Sequence, residues 1–415
     1  MVQKYKPLIF PFSALVGQET LKIALLLNAI NPGLSGLLIR GDKGTAKSTA
    51  VRALASLLPE LEEVSDCPFH CHPEDIKEMC ESCLERLKAG EKLPRQKSRV
   101  RVVTLPLNAT EDRLVGAIDF EYALKTGKKR FQPGILAEAN RGIIYIDEVN
   151  LLEDHLVDIL LDTAVSGVNI VEREGISFSH PARYILIATM NPEEGDIRPQ
   201  FLDRFGLCVS IQGIDELKQR VEIAKRREAF DQDPEGFLAR FKKEEETLQE
   251  KIVKAQKLLG RVQISSELLN AIAKISLKHR VMGHRADLLL DKTARTISAF
   301  YGREQVIEAD LLLACELVLA HRSRAEKEER ERERTAVSGE GGNEANQFEC
   351  SETKLEREAP GSGAGVEQRA EVRSQSGSER TAQNYPGNAD DFSGRAQEAF
   401  QEKVFGIGEL LPIST

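Results

Sequence analysis

The apolar positions of this chain follow two rhythms. Up to about residue 212 they fall in short unbroken runs, Leu37-Leu38-Ile39, Ile143-Ile144-Tyr145-Ile146 and Ile185-Leu186-Ile187-Ala188 among them. Runs of that length and continuity predict strands buried on both faces, as in a parallel sheet with helices on either side. Strands are expected at 36–40, 142–146 and 184–190, and a helix at 48–55. From Asp215 to about Arg324 the spacing turns helical: Phe237, Phe241, Leu248, Ile252, Leu258 and Leu259 mark one amphipathic stretch, and Leu268, Leu269, Ile272 and Ile275 another. All are expected to pack in a core. Beyond Arg324 a charged run, 325–334, predicts a solvated extension of the last helix, and the Gly-, Ser-, Glu- and Gln-rich remainder predicts disorder. The organisation expected is an α/β core over 1–212 with a cysteine-rich insertion at about 60–98, a helical lid over 213–324 and a tail over 325–415.

Chemistry enters where strands end. After the first run comes Gly41-Asp42-Lys43-Gly44-Thr45-Ala46-Lys47-Ser48-Thr49, in the strand, loop, helix context of a phosphate loop. Glycines let backbone N–H groups turn toward phosphate oxygens, and the helix N-terminus adds positive partial charge. Lys47 would hold the β- and γ-phosphates of ATP, and Ser48 would ligate its Mg²⁺. Alanine stands at 46 where the usual pattern has glycine. The strand at 142–146 ends in Asp147 and Glu148, which would hold Mg²⁺ and polarise the attacking water; the bland alternative is helix capping. Asn191, closing the strand at 184–190, could sense the γ-phosphate, or simply form a turn. Arg204 follows an expected helix end beside Phe205 and Gly206 with no local phosphate to meet. It reads as an arginine finger for a neighbour's nucleotide, or as a salt-bridge partner, with Arg198 second for the finger role. Arg285, at the start of a later helix, is placed where a lid could reach back to the phosphates.

A second local signal is Cys67-Pro68-Phe69-His70-Cys71-His72 followed by Cys80-Glu81-Ser82-Cys83. Two close pairs within one insertion suit a tetrahedral metal, structural Zn²⁺ first, with His70 and His72 as spare ligands. An iron–sulfur cluster, a redox-active pair and inert thiols stay open.

Several longer strings sharpen the reading: Phe10-Pro11-Phe12-Ser13-Ala14-Leu15-Val16-Gly17-Gln18-Glu19, 130–137, Val171-Glu172-Arg173-Glu174-Gly175-Ile176-Ser177 with His180-Pro181, and Asn191-Pro192-Glu193-Glu194-Gly195. Over about residues 8–322 the chain resembles the AAA+ ATPase subunits of magnesium chelatase and the related cobalt chelatases. The resemblance implies an ATP-dependent ring, commonly a hexamer, that drives insertion of Mg²⁺ or Co²⁺ into a tetrapyrrole held by a separate large subunit. It implies Asn191 as sensor 1, Arg204 as arginine finger, Arg285 as sensor 2, and Val16 and Gly17 against the adenine. The acidic tail is similar to the linker that joins such an ATPase to an integrin-type (VWA) metal-binding domain, so an integrin-type partner is expected. MoxR-type AAA+ chaperones for metalloenzymes are the nearest rival, and a nonhydrolysing scaffold subunit a more distant one.

Charge narrows the partners. Of the net charge of −9, most sits in the tail, where residues 326–415 carry 19 acidic and 11 basic side chains. A nearly neutral folded part gives no case for nucleic acid. No run approaches the length of a membrane span, no signal peptide is apparent, and scattered cysteines suit a reducing compartment, so a cytoplasmic location is expected.

Overall fold

A computed structural model describes residues 8–118, 131–173, 176–195, 197–281 and 283–322; the charged extension and tail expected over 325–415 lie outside them. The centre is a five-stranded sheet: β1 (Leu37–Gly41), β2 (Val102–Leu105), β3 (Ile143–Ile146), β4 (Ile185–Met190) and β5 (Leu207–Ile211), in the spatial order β5-β1-β4-β3-β2. Every pairing is parallel, for example Leu38 beside Ala188 and Ile185 beside Ile143. This is the α/β core with parallel sheet that the short apolar runs predict.

Alternation divides the sheet's side chains between two cores. Leu37, Ile39, Ile143, Tyr145, Ile187 and Val209 face one, while Leu38, Ile144, Ile146, Leu186, Ala188 and Cys208 face the other. With β-strand side chains repeating every two residues, neighbours must point oppositely, so a run apolar at every position needs cover on both sides. On the first face that cover includes helices Glu19–Ile30 and Lys47–Leu57 and the later helices Pro234–Leu258, Ser266–Lys278, Arg285–Phe300 and Glu308–Leu319; on the second it is chiefly helix Asp154–Ser166. Leu248 and Ile252, from the expected lid, share a core with Leu37 and Leu54. Leu269 departs from the expectation. It stands 44 % exposed, because helix Ser266–Lys278 turns only Ile272 and Ser276 fully inward.

Among the described residues, three antiparallel hairpins project from this frame, Leu61–Val64 with Arg95–Ser98, Gly116–Ile118 with Phe131–Pro133, and Val168–Arg173 with Ile176–Pro181. The first carries the cysteines. No helix among the described residues is long and apolar enough to cross a membrane.

Candidate nucleotide and thiolate sites

The phosphate loop begins at the carboxyl end of β1. A side chain at Gly41 would collide with the Ile211 carbonyl of β5, so the loop leaves the sheet through a gap that only glycine fits. The chain reaches helix Lys47–Leu57 through Ala46, whose φ of 59° lies in the left-handed region normally given to glycine. That helix has no side-chain cap, which leaves its first N–H groups for an anion. Thr45 Oγ1 donates to the Asp42 carbonyl at 2.9 Å, and Gln18 Nε2 donates to the Thr45 carbonyl at 3.1 Å, so the loop is braced from within and from the 17–18 turn. Lys47 folds back to donate to the Gly41 and Asp42 carbonyls. Burial pulls its pKa below the ordinary lysine value despite the nearby Asp147 and Asp42 charges. A phosphate placed in the loop would compete for that ammonium.

A cleft of about 480 Å³ opens beside the loop, lined by Phe10, Val16, Gly17, Asp42 to Ala46 and Thr49. Its far wall is Ile214 with Arg220, Ile223 and Arg226 from helix Leu217–Gln232. Those four were not singled out from sequence. Val16 and Gly17 therefore stand beside the loop, as their adenine assignment requires.

The acids sit at the end of β3, one strand away across β4. Asp147 Oδ1 accepts from Tyr145 at 3.0 Å and from the Thr189 hydroxyl at 2.6 Å; Thr189 in turn accepts the Glu148 N–H at 3.1 Å. Thr189 is 1 % exposed and ties β3 to β4 at the point where chemistry is expected. Both bonds fall on Oδ1, so Oδ2 remains for a cation, and Asp147 with Ser48 fits the oxygen-rich surroundings that Mg²⁺ selects. Glu148 has a φ of 56°, a left-handed turn that directs it out of the strand line. Its carboxylate lies 3.4 Å from Lys43 Nζ, which also pairs with Glu194. Asn191 is buried at the end of β4, and its Oδ1 accepts the Glu193 N–H at 3.2 Å. The turn-forming reading is realised there, with the amide still at the sheet edge.

Arg204 and Arg285 lie together. Arg204 pairs with Asp158 and Asp162 of helix Asp154–Ser166, and Arg285 Nη2 donates to the Arg204 carbonyl at 2.7 Å. Burial, with the Arg204 charge second, pulls Arg285 below the usual arginine range. Arg285 lines a different cavity, of about 790 Å³, with Asp162, Leu288 and Lys292, which has no wall in common with the phosphate-loop cleft. Helix Leu217–Gln232 lines the phosphate-loop cleft, and Arg285 stands with the Arg204 turn. Arg198 pairs with Asp154 at 2.5 Å. The turn carrying Arg204 is held by buried Arg322, whose guanidinium donates to the carbonyls of Asp203, Phe205 and Gly206. Burial takes Arg322 down to about 10. Gly206 is pressed onto the Leu34 carbonyl with no space for a side chain.

Cys67, Cys71, Cys80 and Cys83 converge: their Sγ atoms lie within 4.8 Å of one another, and all four residues are buried. Hydrogen bonds among the four sulfurs, that between Cys67 and Cys71 first, pull Cys67 far below the usual thiol range and push Cys71 up. His70 and His72 are turned elsewhere. His70 Nδ1 lies 3.2 Å from Glu63, and His72 Nδ1 accepts the N–H groups of Glu74 and Asp75.

Residues 118–212 match the family model "Magnesium chelatase, subunit ChlI", and residues 261–339 match "AAA lid domain". The magnesium-chelatase subunit ChlI homolog of Methanocaldococcus jannaschii is 53% identical over 324 residues, 78% of this chain and 87% of that protein. The magnesium-chelatase subunit ChlI of Cyanophora paradoxa is 48% identical over 318 residues, 77% of this chain and 92% of that protein. A solved chain from the complex between subunits BchI and BchD of magnesium chelatase is 43% identical over 77% of this chain and 97% of that one, with a TM-score of 0.47.

Proposed function

The chain belongs to the magnesium-chelatase ChlI family of AAA+ proteins, and from that premise we propose that it is the ATP-hydrolysing motor of a metal chelatase. Its work would be the insertion of Mg²⁺, or of Co²⁺ in a cobalt chelatase, into a tetrapyrrole held by a separate large subunit, with an integrin-type subunit as a further partner. The observation that supports the reading is the separation of two clusters of charged side chains. Lys47, Asp147 and Glu148 gather at the sheet edge, while Arg204 pairs with Asp162, and Arg285, which lines another cavity with Asp162, donates to the Arg204 carbonyl. A subunit built this way completes its site only against a neighbour, which is what a ring supplies.

In the working site the triphosphate lies along Gly41 to Ser48, drawing Lys47 off the Gly41 and Asp42 carbonyls and Lys43 off Glu148. Asp147 and Ser48 would hold the Mg²⁺ of ATP, which would supply positive charge against the phosphates. Freed of Lys43, the Glu148 carboxylate takes a proton from water as the water oxygen bonds to the γ-phosphorus. The bond from that phosphorus to the β–γ bridging oxygen breaks, and ADP leaves with that oxygen. Arg204 of the next subunit, with Arg285 beside it, meets the charge that develops on the γ-phosphoryl oxygens.

The test is mass spectrometry of what co-purifies with tagged Glu148→Gln protein in Mg–ATP. Recovery of a very large tetrapyrrole-binding subunit is the expected result. Recovery of only an integrin-type protein and an unrelated metalloenzyme would move the assignment to a MoxR-type chaperone.

A further inference from the structure

The cysteine module owes nothing to the ATP site, and its design points elsewhere. Between Leu61 and Ser98 the chain forms a two-stranded ribbon, a tight turn through Cys67 and Cys71, and a short helix, Glu81–Lys88. Two thiols come from the turn and two from the helix start, where Cys80 is the N-cap and Cys83 lies in the first turn. Helix N-termini favour thiolate over thiol. Cys71 Sγ accepts the Cys80 N–H at 3.1 Å, which ties the turn to the helix start.

The sulfur spacings discriminate among occupants. A tetrahedral ion bonded to sulfur at about 2.3 Å requires sulfurs about 3.8 Å apart along each edge. Cys67 Sγ lies 3.5 Å from Cys71 Sγ and 3.8 Å from Cys80 Sγ. An iron–sulfur cluster would have to hold the four sulfurs farther apart to make room for its own iron and sulfide. All four cysteines are free, so no disulfide competes for them. Their own apolar company is small, chiefly Val64, Phe69, Met79 and Leu93, too little to organise a ribbon, a turn and a helix without a staple.

What the module grips is the second half of the inference. Phe69, from the turn between Cys67 and Cys71, stacks on His180 with ring centroids 4.8 Å apart, and Phe131 stacks on Phe178 at 4.2 Å beside it. Phe131 belongs to the hairpin of Gly116–Ile118 and Phe131–Pro133, while Phe178 and His180 belong to the hairpin of Val168–Arg173 and Ile176–Pro181. The Phe69 carbonyl accepts Asn140 Nδ2 at 2.7 Å, and Asn140 Oδ1 accepts the Arg183 N–H at 2.9 Å, just past the second hairpin. One turn between two ligands therefore touches both hairpins and the strand connection between them.

We propose that Cys67, Cys71, Cys80 and Cys83 bind one structural Zn²⁺ ion, and that the zinc-set turn is a brace that fixes the two hairpins to the α/β core. The ion closes its own tetrahedron with protein sulfur, which leaves no open position for substrate and makes the site architectural. Its removal loosens Phe69, and with it the hairpins.

The experiment uses the full chain purified under reducing conditions without added metal. Elemental analysis should give about one zinc per chain with neither iron nor acid-labile sulfide. The double variant Cys80→Ser/Cys83→Ser should lower zinc content at least about tenfold. Stripping the ion from the wild-type chain should speed hydrogen exchange in 168–173 and 176–181 while leaving 37–57 unchanged. Should the variant fail to fold, protein expressed in cobalt must show the thiolate-to-cobalt charge-transfer bands of a tetrahedral four-sulfur site. Iron with sulfide, metal-free protein with all four thiols reduced, or hairpin exchange indifferent to zinc would each overturn the proposal.

Discussion

The two surfaces assigned to ATP are built by opposite means. At the phosphate loop the backbone does the shaping: Gly41 slips past Ile211, Ala46 and Glu148 take left-handed conformations, and an uncapped helix starts at Lys47. At the arginine turn, side chains shape the backbone, since Arg322 and Arg285 hold the carbonyls of residues 203 to 206 while Arg204 projects onto Asp158 and Asp162. Each surface meanwhile satisfies its charges internally, Lys43 on Glu148 and Glu194, Arg204 on the two aspartates. Such partly exposed pairs contribute little stability and exchange readily. On the proposed function, the contrast makes one surface a receptor, preformed by backbone, and the other a donor whose charge is parked on an acid until a phosphate replaces it.

Removing the donor should have the largest effect. Arg204→Ala is expected to lower turnover by about 10³ to 10⁵, with equilibrium ATP affinity kept within a few-fold. Phosphate release and nucleotide titration measure the two quantities. If affinity fell in step with turnover, Arg204 would be acting on its own subunit's nucleotide, and the comparison would lose its basis.

Damage to the receptor should be somewhat milder and complementary. Glu148→Gln removes the base that activates water and should cost about 10² to 10⁴ in turnover while ATP still binds. Mixing it with Arg204→Ala sharpens the contrast, because some interfaces then pair an intact Glu148 with an intact Arg204. At equal amounts and random assembly that is about one interface in four, as expected for head-to-tail contacts. No recovery at any ratio would argue that both groups serve a single subunit.

The support beneath the donor comes next. Arg322→Met leaves three turn carbonyls without their buried donor, at about 1–3 kcal/mol of stability. Turnover should fall about tenfold with KM for ATP unchanged, since the phosphate loop is untouched. Arg322→Lys should recover only part, because a single ammonium cannot span the carbonyls that a guanidinium fork reaches. A thermal shift without the kinetic loss would make Arg322 a packing residue and nothing more.

How much of this could be read from the sequence follows the same division. The receptor was legible because its parts are local: a loop between an apolar run and a helix, and two acids ending a second run, need only the strand period and the parallel sheet to be brought together. The four cysteines were legible for the same reason, two short spacings in one insertion. The donor was half legible. Arg204 could be picked out by its place after a helix, but its partners Asp158 and Asp162 lie on a helix more than 40 residues earlier. Arg285 could be picked out by its place at a helix start, but nothing in its neighbourhood records that it lies beside the Arg204 turn. That depends on tertiary packing, which puts Leu217–Gln232 on the cleft's far wall and Arg285–Phe300 in the larger core. Thr189 and Arg322 escaped notice for a related reason: one is a hydroxyl inside a buried strand and the other a charge at a helix end, and only tertiary contacts give either a task.

The smallest effect probes the backbone of the receptor itself. Ala46 sits at φ 59° and ψ 22°, where a Cβ costs about 1–2 kcal/mol. Glycine there would remove that strain but add about 0.5–1 kcal/mol of unfolded-state freedom. The net for Ala46→Gly is a gain of about 0.5–1 kcal/mol, read as a rise of about 1–4 °C in Tm. ATP affinity should change by no more than a few-fold, because the loop already has the shape that glycine would adopt. A loss of stability would mean that position 46 is not left-handed in solution and that ATP, rather than the chain, imposes the loop's conformation. The receptor would then be as dependent on its ligand as the donor is, and the division between the two surfaces would fail at its better-defined half.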